Sequence, residues 1–165
     1  MTSTMIHAAK ERQEIHDLIE RSSDVINHQE WSSLMAMMTE DVVWERLPPT
    51  PWVLHGRAAV HGFLTGNDDK IDILHYAVSA SSIDLMDEAN AVARSTMSEL
   101  IRIRATGVTL RVVGTYADRF VKLNGLWFFQ RRTITPRYEH ETDTPTRIFR
   151  DVVAPALEQE RWPHS

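Results

Sequence analysis

The sequence predicts an α+β fold in which helices come first and an antiparallel sheet follows. Three observations carry that prediction. Ile15, Leu18, Ile19, Ser22 and Ile26 recur at helical spacing in the N-terminal third. The second half alternates apolar and polar residues over residues 71–83, 91–105, 108–122 and 126–138. Tight connections separate these segments: "ATG" before the third, and the Asn-Gly turn of "LNGLW" before the fourth. A meander of this kind needs cover for its apolar face, and the early helices are the obvious cover.

In chain order, Ser3 or Thr4 is a plausible N-cap for a first helix that runs to about His28. "EWSSLMAMM" reads as a short second helix and "DVVWERL" as a strand. "PPTPW" breaks the chain, because no helix interior tolerates that proline density. "HGRAAVHGFLTGN" suggests a short helix bracketed by glycines. After the four strands, residues 144–160 predict a C-terminal helix that Pro155 kinks or interrupts. No internal repeat, linker or low-complexity stretch divides the chain, so residues 1–165 read as one domain.

Composition excludes several function classes. The chain has 165 residues, 42% hydrophobic and 25% charged, with a net charge of −5 and scattered basic residues, which gives no electrostatic footprint for nucleic acid. Arg102, Arg104 and Arg111 read as the solvated face of strands. There is no cysteine, hence no disulfide, thiolate metal site or cysteine nucleophile. The N-terminus lacks the apolar stretch of a secretory signal, and no run approaches the ~18 apolar residues of a membrane span. The expectation is a soluble cytoplasmic protein that needs neither membrane nor nucleic acid. The six glycines never reach phosphate-loop spacing, and no HExxH pattern occurs among the histidines. His55 and His61 flank a turn and a short helix, a weak metal signal. No elbow motif surrounds any serine. Neither metal nor cofactor is therefore expected.

The segment "DILHYAVSASS" poses the sharpest question. Ile71, Ile73, His75 and Ala77 share one parity, while Leu74, Tyr76, Val78 and Ala80 share the other, so both faces look buried. His75 is then either a core histidine with one satisfied hydrogen bond or a base facing a pocket. Glu99 shares parity with Ala93, Met97, Ile101 and Ile103, and a carboxylate on an apolar face is costly unless paired or protonated. It completes a site with His75 or bridges to an arginine. Arg132 shares parity with Phe128 and Ile134; it holds an oxyanion or leaving group, or it pairs with Glu99 or Asp118. Trp44, Trp52, Tyr76, Tyr116 and Phe128 are pocket walls or core. Asp24 falls about 180° from the apolar stripe of its helix and belongs in water.

Several of these pieces together resemble the SnoaL-like proteins of the nuclear transport factor 2-like superfamily. "INHQEWSSLMAMMTEDVVWE" is similar to the end of their first helix, their second helix and first strand. "LHGRAAVHGFL" matches their glycine-led short helix, "LHYAVSASSID" their histidine-bearing strand, and "GTYADRFVKLNGLWFFQRR" their closing hairpin. The resemblance covers roughly residues 10–137. It implies a cone-shaped α+β barrel: a curved antiparallel sheet wrapped by the N-terminal helices around an apolar pocket, in a homo-oligomer (dimer or trimer). It also implies a cofactor-independent dehydratase, isomerase or cyclase acting on a small, largely apolar organic molecule. His75 would be the base, with Glu99 or Arg132 assisting. The helix-1 aspartate that orients such a histidine falls at Asn27, which would orient the His75 ring through a hydrogen bond but whose amide cannot neutralise an imidazolium. The alternative is a binding or assembly subunit, like the beta subunits of dioxygenases, that has lost the dyad.

Overall fold

The computed structural model describes residues 3–144. Helix α1 (Ser3–Asn27) leads through α2 (Trp31–Ala36) to β1 (Met38–Arg46), β2 (Trp52–His55) and α3 (Gly56–Thr65), and four long strands follow: β3 (Ile71–Leu85), β4 (Asn90–Ile103), β5 (Thr109–Leu123) and β6 (Leu126–Thr142). The expected C-terminal helix falls almost wholly beyond Thr144, outside the described residues. The six strands form one sheet in the order β2-β1-β6-β5-β4-β3. The run from β6 to β3 is the antiparallel meander that the alternation predicts. Strand β1 joins the sheet parallel to β6 and carries the short β2 antiparallel on its outer edge.

Extra residues inside the long strands bend the sheet. Strand β3 slips its register between Ile71 and Ile73 and again between Ser79 and Ser82. Strand β6 does so opposite Val113/Gly114 and Arg119/Phe120. At the first of these two, the backbones close in tightly: a Cβ on Gly114 would sit 2.6 Å from the Thr135 carbonyl oxygen. The Asn124-Gly125 turn between β5 and β6 has positive φ at both residues (51° and 83°), the requirement of the type I′ hairpin.

The helical stripe predicted for α1 is the face that packs on the sheet. Ile15, Ile19, Ser22 and Ile26 are buried, and Leu18 is partly so. Two polar anchors fix the helix. Near its start, buried Glu11 accepts hydrogen bonds from Lys122 Nζ (2.6 and 2.7 Å) and Trp127 Nε1 (2.7 Å), and the Lys122 ammonium holds its carboxyl below the usual range. At its end, the Asn27 amide meets the edge strand β3. Its Nδ2 donates to Tyr76 O and its Oδ1 accepts from Tyr76 N, both at 2.7 Å. The side chain thus completes the hydrogen bonding of a strand edge that has no neighbouring strand at that position. An aspartate, which only accepts when ionised, could not make both bonds.

This arrangement corrects the expectation for the central pair. Tyr76 is the inward residue of β3, so His75, one position earlier, lies exposed on the outer face opposite Leu100. Asn27 bonds to the backbone of Tyr76, not to His75. Phe128 is corrected for a different reason. The extra residue at Gln130 places Trp127, Phe129, Arg132 and Ile134 inward, and it puts Phe128, half-buried, on the other face. Arg102 is also not solvated: it forms an ion pair with the buried Asp72 at 2.7 Å.

Candidate functional site

The curved sheet, α2 and α3 enclose a cavity of about 660 Å³. Strand alternation builds its wall. Leu74 and Tyr76 come from β3; Met97, Glu99, Ile101 and Ile103 from β4; Leu110, Val112 and Tyr116 from β5; Ile134 from β6; Trp44 and Arg46 from β1. Aromatic rings run from the interior to the mouth: Trp44 meets Trp52 edge-on at 6.2 Å between ring centroids, and Trp52 lies 5.2 Å from Phe63 of α3. At the rim, Trp31 of α2 donates its indole N–H to Asp68 at 2.8 Å, which ties that helix to the loop before β3. Asp69, Lys70 and Arg104 complete the rim.

Glu99 is the carboxyl of this wall. It faces Tyr76 across the β3–β4 ladder and Val112 across the β4–β5 ladder. Among the described residues no group donates a hydrogen bond to it. Burial disfavours its ionised form and pushes its pKa up to about 7, with Arg46 opposing the shift. A carboxyl of this kind exchanges a proton readily near neutral pH. Tyr76 and Tyr116 stand beside it with ring centroids 6.4 Å apart. Burial raises the Tyr76 phenol to about 12 and the Tyr116 phenol well above its ordinary value, so both are hydrogen-bond donors at any physiological pH.

Arg132 lies one layer behind. It is fully buried and contacts Asp118 through Nε (3.1 Å) and Nη2 (3.4 Å). Its guanidinium carbon sits 4.2 Å from the Tyr116 ring centroid and 4.3 Å from that of Phe129. Burial works against its charge, but Asp118 and the two phenols hold it more firmly protonated than usual. Asp118 is itself pushed up by burial, with Arg132 opposing. The pair is internally compensated, and Arg132 does not line the cavity.

Of the residues singled out in the sequence, the structure thus brings Trp44, Trp52, Tyr76, Glu99 and Tyr116 to one cavity. Arg132 stands behind it, Asn27 is bound to backbone, and His75 and Phe128 face away. Sequence reasoning missed Arg46, Trp31, Phe63 and Asp68. Arg46 was within reach, since it shares parity with Val42 and Trp44 in "VVWER". The other three come from helices and a loop whose placement no local pattern encodes.

Residues 7–133 match the SnoaL-like domain family. The chain belongs to that family. No curated protein sequence matches it at a significant level. Among solved structures, a scytalone dehydratase candidate from Novosphingobium aromaticivorans is similar at 24% identity and a TM-score of 0.73, over 85% of this chain and 91% of that one. A hexachlorocyclohexane dehydrochlorinase (LinA, type 2) superposes with a TM-score of 0.78 over 89% of this chain and 99% of that one, at 9% identity. A protein of unknown function from Mycobacterium tuberculosis, solved with an aspartate-to-asparagine substitution, has 22% identity and a TM-score of 0.69, over 81% of this chain and 75% of that one. These likenesses establish the α+β cone as the fold.

Proposed function

We propose that this chain is a cofactor-independent enzyme that binds a small, largely apolar organic molecule, ring- or polyketide-like, in the cavity. Glu99 transfers the proton in an elimination (dehydration), isomerisation or cyclisation. The observation that carries this reading is a single carboxyl on an apolar, aromatic wall, without a hydrogen-bond partner among the described residues and with a pKa of about 7. The lining is mostly apolar and aromatic, which suits an apolar ligand, and the neutral Tyr76 and Tyr116 phenols pack beside the carboxyl. Two similar structures, a dehydratase candidate and a dehydrochlorinase, are named for elimination chemistry, which agrees with this reading. His75 has no part in it, because it faces away from the cavity.

The test starts from a thermal-shift screen of hydroxylated, ketonic and halogenated ring compounds, with product formation followed by mass spectrometry. Glu99→Gln, which keeps the shape of the protonated acid, should lower turnover by about 10²–10⁴. The wild-type pH profile of kcat/KM should show an inflection near 7 that the variant lacks. Turnover that survives Glu99→Gln would refute the assignment. One observation favours a second reading, a ligand-binding or assembly subunit without catalysis: the helix-1 position implied for an aspartate holds Asn27, whose amide is committed to the Tyr76 backbone. A bound ligand that stays unchanged after long incubation with the wild type would favour that reading. We also propose a homo-oligomer, dimer or trimer, which sedimentation equilibrium would test.

A further inference from the structure

The proposed reaction leaves open what charge a tightly held ligand carries. The ionisable groups around Glu99 answer this one by one. On β1, Arg46 is paired with Glu139 at 2.8 Å. On β5 and β6, Asp118 and Arg132 compensate each other at 3.1 Å. On β3, Tyr76 is a neutral phenol, as is Tyr116 on β5. At the mouth, Asp68 is engaged by the Trp31 indole, Lys70 reaches Asn67 Oδ1 at 3.4 Å, and Arg104 reaches the Ile71 carbonyl at 3.4 Å; Asp69 is exposed. Lys70 and Arg104 keep their charge at the mouth, since their acceptors are neutral, but deeper in the cavity the charge without an ion-pair partner among the described residues is a negative one, at Glu99.

The walls add a second preference of the same sign. Trp44, Trp52, Phe63, Tyr76 and Tyr116 line one space, and aromatic rings attract cations, as Arg132 shows from behind the wall over Tyr116 at 4.2 Å and Trp44 at 5.6 Å. A carboxyl with no hydrogen-bond or ion-pair partner among the described residues, set in an aromatic enclosure, is complementary to an organic ammonium group on an apolar body. We propose that the cavity selects apolar molecules bearing a protonated amine, with the ammonium on Glu99 and the body against the aromatic wall. Such a ligand holds Glu99 ionised and so blocks proton transfer from it. This inference goes beyond the proposed reaction, needs no turnover, and concerns only which molecules the cavity retains.

The test compares two probes of equal shape, 2-(1-naphthyl)ethylamine and 2-(1-naphthyl)ethanol, by calorimetric titration of the full chain at pH 5.5, 7 and 8. The amine stays protonated throughout, as an alkylammonium with a pKa near that of lysine does. At pH 8 the amine should bind at least about tenfold tighter than the alcohol. At pH 5.5, where Glu99 is protonated, the preference should fall below about threefold. Glu99→Gln should abolish it at every pH while the alcohol's affinity stays within about threefold. The wild-type pH series stands alone if the variant folds poorly. Equal affinities at pH 8, an amine preference that persists in Glu99→Gln, or no binding of either probe at millimolar concentration would overturn the inference. A turnover defect in Glu99→Gln with no amine preference would retain the proton-transfer reading and reject this one.

Discussion

Two carboxyls lie inside the cone, on neighbouring strands, and they are held in opposite ways. Asp118 on β5 is fully buried, meets the Arg132 guanidinium at 3.1 and 3.4 Å, and is sealed by the rings stacked on that arginine. Glu99 on β4 stands at a cavity of about 660 Å³ with no donor among the described residues. Burial pushes both carboxyls upward in pKa, but Asp118 is answered by a direct ion pair with Arg132, whereas Glu99 has among the described residues only the longer-range pull of Arg46, itself paired with Glu139. A charge completed by its own fold has little left to offer a ligand. A charge left open beside a cavity is where a ligand's contribution would count, and for that reason the chemistry is proposed for Glu99 and not for the more deeply buried pair.

The comparison is broken most severely at the closed pair. Arg132→Met keeps an unbranched side chain but leaves Asp118 buried without a partner, which should cost about 3–5 kcal/mol of stability in urea titration. Arg132→Met combined with Asp118→Leu should recover much of that loss, since an apolar pair of similar volume can replace a buried ion pair. A single variant that loses less than about 1 kcal/mol would mean that water already reaches Asp118.

The open carboxyl should respond in the other direction. Its pKa is about 7 folded against 4.5 unfolded, so the folded chain binds that proton more strongly. Below pH 4.5 the group is protonated in both states and costs nothing; as pH rises from 4.5 through 7, the folded state pays an increasing penalty for ionising it. Glu99→Gln removes the penalty. The variant should match the wild type at pH 4 and exceed it by about 1–3 kcal/mol at pH 8. Identical stabilities at pH 8 would show that Glu99 is hydrated when ionised and would weaken its special standing. Where the closed pair loses stability on substitution, the open group should gain it, at the expense of the proposed activity.

How much of this was legible in the sequence depended on whether one residue's displacement mattered. Glu99 was readable because β4 keeps its alternation from Ala91 to Glu99 without a slip. The alternation put Arg132 and Phe128 on the same inward face, and the structure keeps only Arg132 there, because the extra residue at Gln130 reverses parity along β6 and leaves no mark in composition. Strand β2, only four residues long and directly after a proline cluster, is too short to show a period. The N-terminal helix and the β5–β6 hairpin were plain, since a 3.6-residue stripe and an Asn-Gly turn are local signals. The cavity rim was not, because Trp31, Phe63 and Asp68 meet only through tertiary packing.

The smallest effect is expected where the sequence pointed first. On β3 both parities are apolar enough to be buried, so sequence alone could not decide between His75 and Tyr76 as the inward residue. Asn27 marks the outcome: its amide spans the backbone of Tyr76, while the Tyr76 ring enters the cavity and His75 turns outward to the exposed face. His75→Gln therefore removes no cavity contact and no hydrogen bond seen among the described residues. It should change stability by less than about 0.5 kcal/mol, as surface substitutions do. Ligand affinity and turnover should stay within about twofold of wild type, in contrast to the loss expected for Glu99→Gln. Tyr76→Phe makes the comparison sharper, since it deletes a single hydroxyl from the inward neighbour without altering the strand. A tenfold drop in turnover from His75→Gln, with affinity preserved, would mean that β3 rotates its register when ligand binds, and Glu99 would then have to share the proton transfer with the imidazole.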